Sequence, residues 1–580
     1  MKRERIALKP YLETIESYCN GLSKEELKEV IMSFGKDVST SGRAAFLESL
    51  ESFVPGLKPY VKQHFEPIDE ILNDIAALRE SIVERLISIE DGSFWDDPDL
   101  YEDDYGYDDE DPDSLSDEQE SEILSFFDDA GRIFLLDHLA DARKVYEALF
   151  NLINVIKKYD DYFEIRGYDI REARARYCRA VYEASINDNR LYEFADAMDI
   201  EHHRINQELQ YDESFPLLQD VVDARPGEMA GLETFLIGWK KLLSNKGLNG
   251  RPAGLFLEAV YRTEGIIGVS ALARKWNNSQ PMGYLFWLKV LKSENSQGEI
   301  INVGNEALKT LEAGRSREQV AGFMIEAAHE LDENGSVLLG KREKFYSRFN
   351  DRNLLDLMEE ATKQNERDNE LDKVISFLRD LKADGEEKEL FVRSILMAGK
   401  LDEAVSLAAN EKSVGWSYSS IAGVVFGSVL SVLTDYSDKA GTVKIILKNY
   451  ADKTSIYSEE IIVRDRTAPS FYSEILKGLG KNKDIKSQAE DALSWAEKIG
   501  KKRIDHIVSN QHRNAYERAA RILGALAETY LLMGKQDKAK KIINRFYVEK
   551  YNRHSAFRRE VQDVINNSNI LKDQYIHFIK

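Results

Sequence analysis

Apolar residues at Ile68, Ile71, Leu72, Ile75, Leu78, Ile82 and Leu86 recur every three or four positions. That spacing places them on one face of an α-helix, and only a second apolar surface can cover such a stripe. The same period returns along the 580-residue chain, in "FFDDAGRIFLLDHLADARKVYEALFNLINVIKKY", "REARARYCRAVYEASI", "MAGLETFLIGWKKLL", "PAGLFLEAVYRTEGIIGVSALARKW", "PMGYLFWLKVLKS" and "REQVAGFMIEAAHEL". The first of these reads as an antiparallel helix pair, with Ala130, Ile133, Ala142, Tyr146 and Phe150 where paired helices need small or bulky residues. Strand-like alternation of Val, Ile and Thr is scarce, prolines number only 11, and Leu, Ala, Glu and Lys favour helix. The expected fold class is all-α: a helical N-terminal bundle followed by an irregular α-solenoid. Hydrophobic residues at 43% are ample for packed cores.

Charge divides the chain. From Glu90 to Glu122 there are 17 Asp and Glu and no Lys or Arg, which accounts for most of the net charge of −23. Such a stretch cannot bury enough apolar surface to offset repulsion and ordering entropy, so residues 90–122 are expected to form a disordered acidic linker. Phe94, Trp95, Tyr101, Tyr105 and Tyr107 are interleaved with the acids. The segment is therefore either a spacer or a docking element that offers Asp103, Asp104, Asp108 and Asp109 to a basic surface. Such a surface exists in the sequence: Lys501 to Arg559 carries 15 Lys and Arg against 5 Asp and Glu. Ser23 and Glu26 predict a capping box at the start of an early helix.

Two cysteines, Cys19 and Cys178, give no disulfide framework and no metal knuckle, and a reducing cytoplasm is the expected compartment. The N-terminal "MKRERIALKPYLETIES" has no apolar core of signal-peptide length. The longest uncharged stretch, Ser413 to Thr434, is long enough for a membrane span but carries six serines and three glycines. A buried, close-packed helix is the expected outcome, with no membrane as partner.

In "LGALAETYLLMGKQDKAKKIINRFYVE", Leu526, Ala527, Tyr530, Gly534, Ala539, Ile543 and Phe546 carry the small-and-large spacing of a helical hairpin. Gly534 would turn between the helices with φ above zero, while Ala527 and Ala539 let the axes approach. This pattern resembles the tetratricopeptide repeat. "FVRSILMAGKLDEAVSLA" repeats it around Gly399 and Ala404, with Ile395 in place of the Tyr, and weaker hairpins lie around Ala440 and Ala489. The spacing of these alanines departs from the family's regular period, which implies irregular repeats. The resemblance implies a solenoid with a protein-binding surface. The expected domains are an N-terminal helical unit (1–89), the acidic linker (90–122), a middle helical domain (123–380) and a tetratricopeptide-like domain (381–580).

Six Gly-Lys dipeptides suggest a phosphate loop, but the next residues are Asp37, Arg342, Leu401, Asn482, Lys502 and Gln536, none with the required hydroxyl. His202 and His203 diverge on a helix, and His506 and His512 have a poor chelating interval, so no metal or other cofactor is expected. No nucleophile elbow, HExxH or Cys–His signature occurs. The chain is expected not to be an enzyme; an unrecognised enzyme is one alternative. Lys538, Lys540, Lys541 and Arg545 form a candidate basic binding face. For that face a solvated surface or a docking site for an acidic protein comes first, and RNA or DNA binding is the second functional alternative.

The "GLSKEELKEVIMSFGKDVSTSGRAAFLESL" segment, the all-helical middle and the repeat unit beginning near "FVRSILMAGKLDEAVSLAAN" together resemble the protein targets of RNA-activated proteolysis in type III-E CRISPR systems. The resemblance implies a non-enzymatic substrate, cut once by a caspase-like (CHAT) protease in an RNA-guided effector complex. It also implies a held sigma factor whose inhibition cleavage relieves. The expected cut lies within Leu401 to Ser420, at Leu407–Ala408, with Met397–Ala398 as second choice. Core packing is the competing role for all four residues.

Overall fold

The computed structural model describes residues 8–37, 46, 67–96, 114–160, 163, 165, 168–185, 189–200, 215–247, 249–381, 385–415, 420–453 and 470–575. Every regular element among them is helical. In chain order these are α1 (Leu8–Gly21), α2 (Lys24–Asp37), α3 (Ile68–Asp91), α4 (Asp117–Leu135), α5 (Leu139–Ile156), α6 (Ile170–Ala184), α7 (Arg190–Ala197), α8 (Leu218–Val222), α9 (Leu232–Lys246) and α10 (Arg251–Trp276). There follow α11 (Met282–Ser293), α12 (Gln297–Thr310), α13 (Arg315–Glu330), α14 (Asn334–Ser347), α15 (Asp351–Lys363), α16 (Arg367–Asp380), α17 (Gly385–Met397) and α18 (Leu401–Ala408). The last are α19 (Ile421–Leu433), α20 (Gly441–Asp452), α21 (Phe471–Lys481), α22 (Ile485–Ser509), α23 (Tyr516–Leu532), α24 (Gln536–Ile543), α25 (Ser555–Asn567) and α26 (Asn569–Tyr575). The chain divides into two compact units, Met1–Val290 and Leu291–Lys580.

In the first unit, the α3 stripe is buried as its period requires: Ile71, Ile75, Leu78, Ile82 and Leu86 all leave solvent. They share one core with Phe127, Ile133, Leu149 and Ile153 of α4 and α5. Each such side chain contributes roughly 1.5–3 kcal/mol, set against ordering entropy. The core therefore joins helices from both sides of the acidic segment. That segment is also shorter than residues 90–122. α3 continues to Asp91, and α4 begins at Asp117. A capping box explains the early start: Ser116 Oγ accepts from Gln119 N at 3.3 Å, and Gln119 Oε1 accepts from Ser116 N at 3.1 Å. Asp117, Glu118 and Glu120 lie in the first turn, where carboxylates complement the helix dipole. Asp103, Asp104, Asp108 and Asp109 lie outside the described residues, as do Tyr101, Tyr105 and Tyr107. The box at Ser23 forms as predicted, with Ser23 N donating to Glu26 Oε2 at 2.8 Å.

A second core in this unit surrounds Trp239, Phe194 and Tyr182: Phe194 meets Tyr182, Phe235 and Trp239 edge to face, and Phe235 stacks on Trp239. Cys178 is buried there and Cys19 is exposed, both as free thiols. Burial pushes the Cys178 thiol up to about 12. The segment read from sequence as one helix, "PAGLFLEAVYRTEGIIGVSALARKW", is not straight. Gly265 takes φ 64° and ψ −162°, and the chain doubles back. The rings of Phe256 and Trp276 are 6.1 Å apart, whereas a straight helix would separate these positions by roughly 30 Å. Helical periodicity survives a one-residue reversal, which is why the pattern conceals it.

In the second unit one apolar core extends from Leu338 to Tyr575. Its centre is α19, in which every residue from Ile421 to Leu433 is buried. Within the uncharged run, Ile421–Leu433 is thus a 13-residue core helix, and no described helix is long and apolar enough to cross a membrane. Gly423 and Gly427 let α20 approach: a Cβ at Gly423 would lie 2.2 Å from the Tyr450 ring, and one at Gly427 2.9 Å from Leu447 Cα. Glu528 clamps this packing from α23. It is fully buried and accepts from Thr442 N at 3.0 Å, Val443 N at 3.1 Å, Thr442 Oγ1 at 2.8 Å and Ser568 Oγ at 2.7 Å. Burial raises its pKa, and the four donors oppose the rise. A carboxylate so fully engaged is a structural staple rather than a reactive group.

Candidate interaction sites: two Gly-Lys turns and a basic face

The two hairpins predicted around Gly399 and Gly534 have the same turn. Each glycine takes φ 72°. Gly399 N donates to Leu396 O at 2.9 Å and Lys400 N to Ile395 O at 3.1 Å; Gly534 N donates to Leu531 O at 3.0 Å and Lys535 N to Tyr530 O at 2.8 Å. These bonds satisfy helix-terminal carbonyls and need the left-handed conformation that glycine adopts without strain. Ala404, Ala527 and Ala539 are fully buried, and Tyr530 packs between the helices.

Around Gly399 three distant segments converge. Gly478 of α21 lies against the turn so closely that a Cβ there would sit 2.0 Å from Met397 O. Buried Arg367 donates from Nε to Glu474 Oε2 at 2.9 Å and from Nη2 to Met397 O at 3.2 Å. Asn482 Nδ2 donates to Gly399 O at 2.8 Å. At the surface, Lys481 pairs with Asp368 at 2.9 Å and Lys400 with Asp372 at 3.0 Å. The hydrogen bond from Lys481 is the main cause that holds the Asp368 carboxyl below its ordinary range. A cleft of about 470 Å³ opens here, lined in part by Asp368, Asp372, Asp402, Lys400 and Lys481. Its lysines are engaged by carboxylates, and three carboxylates would repel a phosphate. The Gly-Lys dipeptide is a turn, not an anion cradle.

The candidate cleavage bonds flank this turn. Leu407 and Ala408 close α18, with Ala408 fully buried and Leu407 packed on the core. Met397 ends α17, fully buried, with its carbonyl taken by Arg367, and Ala398 packs on the same core. Beyond them Ala409, Asn410, Glu411 and Lys412 are exposed.

The basic face is ordered. On α24, Ala539, Ile542 and Ile543 are buried, and Lys538, Lys540 and Lys541 point to solvent. Lys538 Nζ lies 5.7 Å from the Tyr530 ring centroid, and the Arg545 guanidinium 5.7 Å from that of Phe546. The chain then widens into π turns from Asn544 to Lys550, a geometry that sequence periodicity does not signal. Asp505 ties this segment to α22, accepting from Lys550 Nζ at 2.6 Å and Tyr551 Oη at 2.8 Å. Arg545 shares a cleft of about 350 Å³ with Lys498, Lys501, Lys502, Glu497 and Asp505. Lys501 pairs with Glu497. Lys498 and Lys502 make no ion pair among the described residues. Sequence reasoning missed these two, although their four-residue spacing on a helix was a usable signal.

No family model matches this chain, and no curated protein sequence does. The turn at Gln511, with φ 57°, brings the His506 and His512 rings to 6.0 Å, closer than their sequence interval implies. No group of three or more His, Cys, Asp or Glu among the described residues is placed to hold a metal ion. His202 and His203 lie outside the described residues.

Proposed function

We propose that the chain is a non-enzymatic interaction protein whose second unit binds an acidic protein through Lys498, Lys502, Lys538, Lys541 and Arg545. The carrying observation is that an ordered helical face collects cations around a cleft in which Lys498 and Lys502 have no internal ion pair among the described residues. Elsewhere in the unit lysines are commonly spent on carboxylates, as at Lys400, Lys481 and Lys486. A protein partner fits this face better than nucleic acid. The neighbouring aromatic rings of Tyr530, Phe546, Tyr547 and Tyr551 are buried, so they offer no stacking platform for bases. The test is charge reversal at Lys498, Lys502, Lys541 and Arg545, with crosslinking in cells and anisotropy of labelled single-stranded RNA as readouts. Loss of a discrete acidic crosslinked partner, with no RNA binding by the parent protein at physiological salt, is expected. Tight RNA binding with a steep salt dependence would replace this reading.

The resemblance to targets of RNA-activated proteolysis supplies a second reading, favoured by the exposed stretch from Ala409 to Lys412 beside the Leu407–Ala408 bond. In it the partners are a CHAT protease-effector complex and a sigma factor. Exposed, irregular backbone is where proteases gain access, whereas a buried helical bond must first unfold. Incubation with the activated protease and sequencing of the new N-terminus is decisive: a cut within residues 401–420 supports the reading, and an intact chain ends it.

A further inference from the structure

The first unit contains a surface whose chemistry is different from that of the basic face. The reversal at Gly265 folds α10 into two arms, residues 251–264 and 266–276, beside α9. At the hinge the arms close tightly: a Cβ on Gly268 would lie 3.0 Å from Val260 Cγ1. Together with α9 the two arms border a cleft of about 390 Å³. Its walls are apolar, from Phe256, Val260, Ala271 and Leu272, and its rim is basic, from Lys240, Lys241 and Lys275. Glu264 is the one carboxylate in the lining, and Lys240 already holds it at 2.8 Å. Lys241 and Lys275 make no ion pair among the described residues. They stand on different helices, α9 and the second arm of α10.

A second observation points the same way. Ile237, one turn before Lys240, is 68% exposed, and Ile267, next to Gly268, is 78% exposed. They are the two most exposed large aliphatic side chains among the described residues of the unit. Isolated exposed apolar residues are ordinary, but two beside an apolar cleft extend it into a surface that water covers at a cost.

We infer that this cleft is a docking site for a short acidic peptide that inserts one bulky apolar side chain between the arms of α10 and sets carboxylates on Lys241 and Lys275. The volume suits a single large side chain and a neighbour, at the small end of ligand pockets. Two lysines on separate helices match carboxylates on both sides of the inserted residue, whereas a fatty acid brings one carboxylate only. Ile237 and Ile267, outside the cleft, give an extended ligand further apolar contact. Nucleic acid has no apolar side chain to place against Val260 and Leu272.

The probe is a fluorescein-labelled peptide with a central Leu-Phe pair flanked on both sides by Asp and Glu, titrated with the full chain and read by anisotropy. Saturable binding is expected. Ala271→Trp, which fills the cleft from an exposed position, should weaken it roughly tenfold or more, equivalent to about 1.4 kcal/mol. Lys241→Glu with Lys275→Glu should weaken it comparably and flatten its salt dependence. Replacing the Leu-Phe pair by Ser-Ser should abolish binding. Reversal at Lys498, Lys502, Lys541 and Arg545 should leave it unchanged, which separates this site from the basic face of the second unit. All substituted positions are exposed, and an unaltered circular dichroism spectrum checks the fold. Hydrogen exchange on the unsubstituted protein gives a readout without variants: the peptide should protect residues 256–275. No saturable binding, binding indifferent to Ala271→Trp, or binding lost with the second-unit reversals overturns the proposal. So does displacement of the peptide by laurate at lower concentration than by unlabelled peptide, which would assign the cleft to a lipid.

Discussion

The turns at Gly399 and Gly534 share a dipeptide, a φ of 72° and a hydrogen-bond pattern, yet they sit in opposite surroundings. A Cβ on Gly534 would meet nothing within 4 Å, whereas one on Gly399 would lie 2.6 Å from the carbonyl oxygen of Gly478. The same local sequence is a free-standing turn in one place and part of a close backbone crossing in the other. Local geometry follows from the residues of the turn itself. Its importance to stability follows from what packs on it.

The largest effect is expected from Gly478→Ala, which acts on the Gly399 turn and not on the Gly534 turn. Its Cβ would collide with the Met397 carbonyl, backbone against backbone, so no rotamer change can relieve it. A loss of at least about 3 kcal/mol is expected, read as a lower urea midpoint of the second unit. Arg367→Met should cost about 3 kcal/mol, because it leaves the buried Glu474 carboxylate with Lys477 alone and strands the Met397 carbonyl in the interior. Adding Glu474→Leu should recover most of that, since removal of both charged partners leaves no buried carboxylate unmatched. A double variant as unstable as the single one would show that the carbonyl contact dominates.

The two glycines test the comparison directly. Gly399→Ala should cost about 2 kcal/mol, from left-handed strain plus the approach to Gly478. Gly534→Ala should cost about 1 kcal/mol, from backbone strain alone. Equal losses in chemical denaturation would mean that the surroundings of the turn do not matter. At the small end, Lys400→Ala and Lys535→Ala should each change stability by less than about 0.5 kcal/mol. Lys400 holds only a surface pair with Asp372, and exposed pairs contribute little.

Much of the fold is legible in the residues alone. The α3 stripe, the helix pair α4–α5, the Ser23 capping box, both glycine turns and the buried uncharged run were all readable from residue type and spacing. The limits were equally specific. The start of α4 inside the acidic run was missed because net charge outweighed a capping box written in Ser116 and Gln119. The reversal at Gly265 was missed because a glycine within a helical period is usually tolerated, and nothing local shows that Phe256 will meet Trp276. The basic candidates on α24 were found, while Lys498 and Lys502, which join Arg545 in its cleft, belong to another helix. The apolar cleft of the first unit was invisible, since it is made by the reversal itself.

By itself, then, the sequence determined where helices form, which faces they bury and where glycine must turn the chain. These depend on dihedral preference and side-chain period, which act within a few residues. Tertiary structure decided that Gly478 walls one turn and leaves the other free, that Arg367 meets Glu474 across 107 positions, and that Lys498 and Lys502 stand beside Arg545. Those outcomes depend on which buried surfaces fit one another, and shape complementarity between distant helices is written in no single stretch of chain.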